Sequence, residues 1–183
     1  ASHVLSKDDE SSKYAGDLDV DGSVLSEAYF QYNFGKSLAK VGRQYITLPL
    51  VAGSGSRIIK QSFEAYAFIT KEIADTTIVA AHVTKTQGRT DGAGNAPEFL
   101  KAAVDGATTV YVANNSIDNL TLQLNLLDVR EVFFTSFVDA KYNFGGDLKP
   151  YVALQYFNTN YDASGTKSSS LIGAKAGMNI KGL

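Results

Sequence analysis

Residues Asn119 to Leu126 read Asn-Leu-Thr-Leu-Gln-Leu-Asn-Leu, with leucine at every second position and an amide or hydroxyl between. Successive side chains of a β-strand point to opposite faces, so Leu120, Leu122, Leu124 and Leu126 share one face and Thr121, Gln123 and Asn125 share the other. One face takes hydrocarbon and the other takes water. In a soluble protein the leucines turn toward a core; in an outer-membrane barrel they turn toward lipid and the polar residues line a lumen.

The same alternation recurs on both sides of this stretch. Between Glu131 and Tyr142, Val132, Phe134, Val138, Ala140 and Tyr142 fall on one face and Glu131, Thr135, Asp139 and Lys141 on the other. Ionisable groups on that second face sit well beside water and are costly in a packed core. Between Ser170 and Lys181, Ile172, Ala174, Ala176, Met178 and Ile180 alternate with Gly173, Lys175, Gly177 and Asn179. Aromatics fall near segment ends, at Tyr29, Phe30, Tyr32, Phe34, Tyr142, Phe144, Tyr151, Tyr156 and Phe157, where an interfacial girdle would lie.

Nine strand-like segments follow from this patterning, over roughly 24–34, 37–46, 62–71, 76–87, 108–114, 119–127, 130–143, 149–161 and 170–181. Their connections sort by length. Phe34 to Lys36, Glu72 to Asp75, Asn115 to Asp118 and Phe144 to Asp147 are tight turns, whereas Thr47 to Gln61, Gly88 to Ala107 and Asp162 to Ser169 are long and rich in glycine and serine, with Asp128-Val129 the short member of that second set. An up-and-down meander puts alternate connections at opposite ends, which matches the short periplasmic turns and long external loops of membrane barrels. The fold class expected is therefore all-β, an antiparallel up-and-down transmembrane β-barrel forming one domain over residues 1–183. Residues 1–23, polar and acidic, read as an external loop or tail.

Composition narrows the function. The 183 residues are 44% hydrophobic, and 17 Lys and Arg against 19 Asp and Glu leave a formal charge of −2. The basic residues are scattered, which argues against nucleic-acid binding. There is no cysteine, so disulfides, thiolate nucleophiles and cysteine-ligated metals are excluded. No run approaches the ~18 apolar residues of a spanning helix, and the first ten residues lack the apolar segment of a secretion signal. His3 and His82 are far apart in sequence, and no base, nucleophile and orienting group can be assembled, so an enzyme and a cofactor are not expected. His82 reads as structural or lumen-facing.

Asp17, Asp19 and Asp21, followed by Gly22, nearly reproduce a calcium loop, but the glutamate falls at Glu27, one residue short of the required register. Thr47 to Gln61 has glycines but not the Gly-Lys-Ser/Thr ending of a phosphate loop. Its ends are apolar, at Leu48, Leu50, Val51, Ile58 and Ile59, and its centre is small and hydrophilic, so it should pack against something. Alternation puts Lys40 on the same side as Gln44, and strand parity makes Glu131, Asp139, Lys141 and Lys175 lumen charges, with Arg130 at the start of its segment counted as a further lumen candidate.

Ala39 to Tyr66 resembles the OprD-type family of bacterial outer-membrane porins. The match lies in Lys40-Val41-Gly42, then Pro49, a small-residue run ending in Ser56-Arg57, and Gln61 before the next strand. Asp118-Asn119-Leu120, Asp139 to Tyr142 and Asn158-Thr159-Asn160 look more loosely like the following hairpins. The chain departs from the family in having Ile59-Lys60 where a proline belongs, and in ending without a terminal aromatic.

The resemblance implies an 18-stranded barrel in the outer membrane, of which this chain is a central segment, with 47–61 as an inward-folding constriction loop. It implies Ser54, Ser56, Arg57, Lys40 and Gln44 at the constriction, and passive diffusion of amino acids, peptides or carboxylates. Its partners would be the bilayer, lipopolysaccharide, the solutes and, as a homotrimer, further copies. Two rivals follow from the residues alone. One is a soluble β-barrel binding an apolar ligand; the other is a structural or adhesive β protein assisted by calcium.

Overall fold

The computed structural model describes residues 2–3, 22–55, 60–88 and 95–178. Two short strands, β1 (Ser2–His3) and β2 (Ser23–Val24), form a separate ladder. The main sheet comprises β3 (Ala28–Phe34), β4 (Ser37–Gln44), β5 (Ser62–Thr70), β6 (Thr76–Gln87), β7 (Phe99–Lys101), β8 (Ala107–Asn114), β9 (Leu120–Val129), β10 (Phe133–Asn143), β11 (Tyr151–Tyr161) and β12 (Ser169–Gly177). Its order from one edge to the other is β12, β11, β10, β9, β8, β6, β5, β4, β3, with β7 paired to β6 beyond the end of β8. Every pair is antiparallel. The chain meanders up and down without a crossover.

The short connections lie at one end of the sheet. There, turns take left-handed backbone at Gly35, Asp75, Asn119 and Lys149, residue types mostly tolerant of positive φ. The long segments between β4 and β5 and between β6 and β8 lie at the other end, together with the tight turn after β9 and the segment after β11. By the rule for membrane barrels the short-turn end is periplasmic and the long-loop end external.

Burial separates the two faces. On the outer face Phe30, Val41, Tyr66, Phe68, Val110, Leu122, Leu124, Phe134, Val138, Val152, Leu154 and Ile172 are all exposed, a continuous apolar wall too large for a water-soluble surface. Tyr32, Phe34 and Phe68 stack in sequence at 5.7 and 6.0 Å, and Tyr142 meets Phe144 edge-on at 5.0 Å, toward the periplasmic end. These rings form part of an interfacial belt. On the inner face, Ala65, Ala67, Ala81 and Val83 are buried, and Ala65 and Val83 pack with Ile46, Val51 and Phe63 into the main apolar cluster. The core thus lies inside the wall, beneath the segment joining β4 to β5.

Several expectations need correction. Leu25 to Glu27 lie outside any strand, and β3 begins at Ala28. The long segment after β6 contains β7, which prolongs β8 along β6 past a bulged stretch at 102–106; three residues are too few to show alternation. Arg130 and Glu131 belong to a turn closed by the Val132 amide donating to the Val129 carbonyl at 2.9 Å, and Glu131 has φ 61°. Strand parity therefore does not apply to them, and Arg130 pairs with Asp105 at 3.7 Å at the exposed external end. Tyr29, Tyr151 and Phe157 face inward rather than joining the girdle, since Tyr29 pairs with Gly42, Tyr151 with Asn143 and Phe157 with Phe137. His82, opposite Tyr66 and Thr108, faces outward.

Candidate functional site in the barrel wall

The site is built on the inner face, where the segment after β4 turns back across the sheet. Leu48 and Val51 exchange backbone hydrogen bonds of 2.9 and 3.2 Å around Pro49-Leu50, a turn that proline's fixed φ favours. Thr47 bridges Ala52, and the Gly53 amide donates to the Ile46 carbonyl at 3.1 Å, which makes 46–53 a small hairpin. Gly53 passes so close to the Gln61 carbonyl that a Cβ there would collide with it. The Ser54 carbonyl accepts from the Gln61 amide at 3.1 Å, and the Ser54 amide donates to Gln61 Oε1 at 3.3 Å.

Asn125 holds this hairpin to the wall. Its Oδ1 accepts from the Leu50 amide at 2.9 Å, and its Nδ2 donates to Thr109 Oγ1 at 2.8 Å and to the Val110 carbonyl at 3.0 Å. Thr109 Oγ1 in turn donates to the Leu126 carbonyl at 2.8 Å. Asn125 and Thr109 are both wholly buried. An amide uses both its carbonyl and its NH₂ here, so no polar atom is stranded under the hairpin. The hairpin starts from β4 and reaches β9 across β5, β6 and β8, four strand spacings or roughly 19 Å. Beneath it lies a mostly apolar cavity of about 220 Å³ lined by Gln44, Ile46, Leu48, Ala67, Ile69 and Val79.

Toward the periplasmic end of β9 to β12 the inner face is polar. Register aligns Gln123, Asp139, Gln155 and Gly173 in one row and Thr121, Lys141, Ala153 and Lys175 in the next. Gln155 Nε2 donates to Asp139 at 3.0 Å, and Tyr111 donates its hydroxyl proton to Gln123 at 2.9 Å. The small Ala153 leaves room for both lysines to reach one ring: Lys141 Nζ is 4.6 Å and Lys175 Nζ 5.8 Å from the Tyr151 centroid. Tyr151 also covers Gly177, where a Cβ would strike the ring. Among the described residues neither lysine has a carboxylate partner. Lys40 Nζ lies 3.6 Å over Tyr29, on the same face and far along the sheet.

Lys40, Gln44, Asp139, Lys141 and Lys175 thus all belong to the inner face, but only Gln44 touches the cavity under the hairpin. Gln44 is buried and donates to the Ala65 carbonyl at 3.0 Å, a bond that ties β4 to β5. Ser56 and Arg57 lie outside the described residues, as do Asp17, Asp19 and Asp21; among those described, no group of acids and histidines is placed to hold a metal. Sequence reasoning missed the inner aromatics. Phe137 and Phe157 pair at 4.6 Å on the lumen face, and Phe133 meets Tyr161 at 6.4 Å, because attention to charge at Asp139 and Lys141 hid the apolar members of the same parity.

An antiparallel meander with an apolar exterior, a polar interior and an internal hairpin defines the wall of an outer-membrane β-barrel. A family model described as "outer membrane porin, OprD family" matches residues 24–177, and the chain belongs to that family. Three crystal structures share the fold: Pseudomonas aeruginosa OccD3 (OpdP), with TM-score 0.67 and 16% identity over 76% of this chain and 36% of that one; Acinetobacter baumannii OccAB2, with 0.73 and 16% over 97% and 50%; and Acinetobacter baumannii OccAB4, with 0.74 and 16% over 84% and 41%. The chain spans half or less of each. No curated protein matches it. Its place is the bacterial outer membrane, which favours the lipid-out orientation over a soluble barrel with inward leucines.

Proposed function

We propose that the whole protein is a passive, substrate-selective diffusion channel for small carboxylate-bearing solutes such as amino acids, peptides or carboxylates, with 47–61 as its constriction loop. The observation that carries this reading is the pair Lys141 and Lys175 over Tyr151, two cations on one lumen ring that form no ion pair with a carboxylate among the described residues, Asp139 in the next row being bonded to Gln155. A carboxylate passing that ring meets charge it can pair with briefly, which is what conduction with selection requires. Ser54, Ser56, Arg57, Lys40 and Gln44 belong to the same proposal as the constriction set. No catalysis is involved.

Closure supports the assignment to a longer chain. β3 and β12 are related by an even number of antiparallel steps and so run in the same direction. Antiparallel closure therefore requires an odd number of further strands, and nine more would satisfy it in an 18-stranded barrel. The unpaired edges would otherwise face lipid, which backbone groups do not tolerate.

The test is planar-bilayer recording on the full-length protein. Lys141→Glu with Lys175→Glu is expected to move the zero-current potential in a salt gradient toward cation preference, and Arg57→Ala in the same direction; unchanged selectivity in all variants would defeat the proposal. The homotrimer is a separate proposal, tested by particle mass in detergent: three copies support it and one copy overturns it.

A further inference from the structure

On the outer wall an apolar groove runs up to charged residues at the external end. Ala39 and Val41 of β4, Tyr66 and Phe68 of β5, and Ala80 and His82 of β6 line a groove of about 360 Å³ whose surface is almost entirely hydrocarbon. Small residues at 39 and 80 leave space beside the Phe68 ring, with which both are in register. Toward the external end the groove meets a second pocket of about 290 Å³ of mixed character, lined by His82, Thr84, Lys85, Lys101, Val104 and Asp105, among others. His82 lines both, and its Nδ1 is 3.0 Å from Thr108 Oγ1.

Charge is arranged at the upper pocket in an otherwise unfavourable way. Lys85 and Lys101 are direct cross-strand neighbours between β6 and β7, a like-charge juxtaposition that costs stability. Lys85 is relieved by Glu64 at 3.1 Å, but Glu64 also serves Arg43 at 3.7 Å. Lys101 has no acidic partner among the described residues, and Asp105 is engaged by Arg130. Arg43 and Lys85 thus share the Glu64 carboxylate, with Glu98 lining a pocket beside them, and Lys101 is left without an ion pair among the described residues. Lys85 lies nine residues along β6 from Thr76, roughly 23 Å above the periplasmic end for a strand tilted at about 40°, close to the upper limit of an apolar band about 25 Å tall. Lys85 and Lys101 thus stand at the height where lipid headgroups sit.

We infer that this part of the outer wall is a binding site for a phosphorylated glycolipid of the outer leaflet, its acyl chain in the groove beside Ala39 and Ala80 and its phosphate between Lys85 and Lys101. The phosphate relieves the facing lysines, while the acyl chain covers hydrocarbon that the small side chains leave open. Lateral entry from the membrane suits a groove that opens to the outside of the barrel. The inference rests on outer-membrane location and not on conduction, so loss of lipid and loss of the pore are separable.

Native mass spectrometry of the full-length protein in detergent, titrated with bisphosphorylated lipid A, tests the site. Lipid A should bind about tenfold tighter than its dephosphorylated form or phosphatidylglycerol, the size of one charge-assisted contact. Lys101→Glu and the double substitution Ala39→Leu with Ala80→Leu should each weaken lipid A binding by a similar factor, while single-channel conductance stays unchanged as a control for folding. Undiminished binding by both variants would overturn the site. Equal binding of phosphatidylglycerol would overturn the glycolipid as its occupant.

Discussion

Asn125 shows how a residue can be read correctly for its face and incompletely for its task. Alternation with the leucines puts it on the water side of β9, yet it is wholly buried, because the hairpin after β4 lies on it and borrows its Oδ1. Nothing local in Asn-Leu-Thr-Leu-Gln-Leu-Asn-Leu distinguishes Asn125 from Gln123; the difference comes from a segment 75 residues earlier. Asn125→Ala leaves the Leu50 amide without its acceptor and removes the donor to Thr109 Oγ1, and should cost about 1–3 kcal/mol, measurable by urea unfolding in lipid vesicles. Its nearest inward neighbour and nearest outward one make a sharper pair. Leu124→Arg should cost about 2–4 kcal/mol or prevent insertion, as a cation at mid-bilayer depth does, whereas Gln123→Arg should be tolerated. Equal costs in the same unfolding assay would contradict the assignment of faces.

At the scale of elements, the nine long strands were legible because each is long enough to show its period, and because glycine, asparagine and aspartate mark the turns. β7 was not, being three residues long and held only by its pairing to β6. The outward position of His82 and the turn position of Arg130 and Glu131 were also hidden, the first by its polarity and the second because the segment read as starting at 130 begins, as β10, only at Phe133. The hairpin 46–53 was half legible: apolar ends and a proline announced packing, but only the structure supplies the surface it packs on. Gly53 is the element's weak point. Gly53→Val must push the Gln61 carbonyl away, and the hairpin with it, so single-channel conductance should change and become noisier while overall stability in urea falls little. A conductance trace identical to the parent's would show that the hairpin does not shape the pore.

For the whole molecule, the two faces of one sheet assign two solvents. The exposed wall from Phe30 to Ile172 matches a bilayer, and the inner rows from Lys40 to Lys175 match water. Both belong to a family of outer membrane porins. This chain carries no cysteine, so a thiol introduced into it reports its own surroundings once any cysteine elsewhere in the full-length protein is replaced by serine. The most direct measurement is current through the full-length protein in a planar bilayer, with a membrane-impermeant charged thiol reagent applied to Gln123→Cys and to Leu124→Cys. A lumen at Gln123 and lipid at Leu124 predict a stepwise fall in conductance for the first and none for the second. Block through Leu124→Cys with Gln123→Cys unaffected would place the leucines inside and contradict the account.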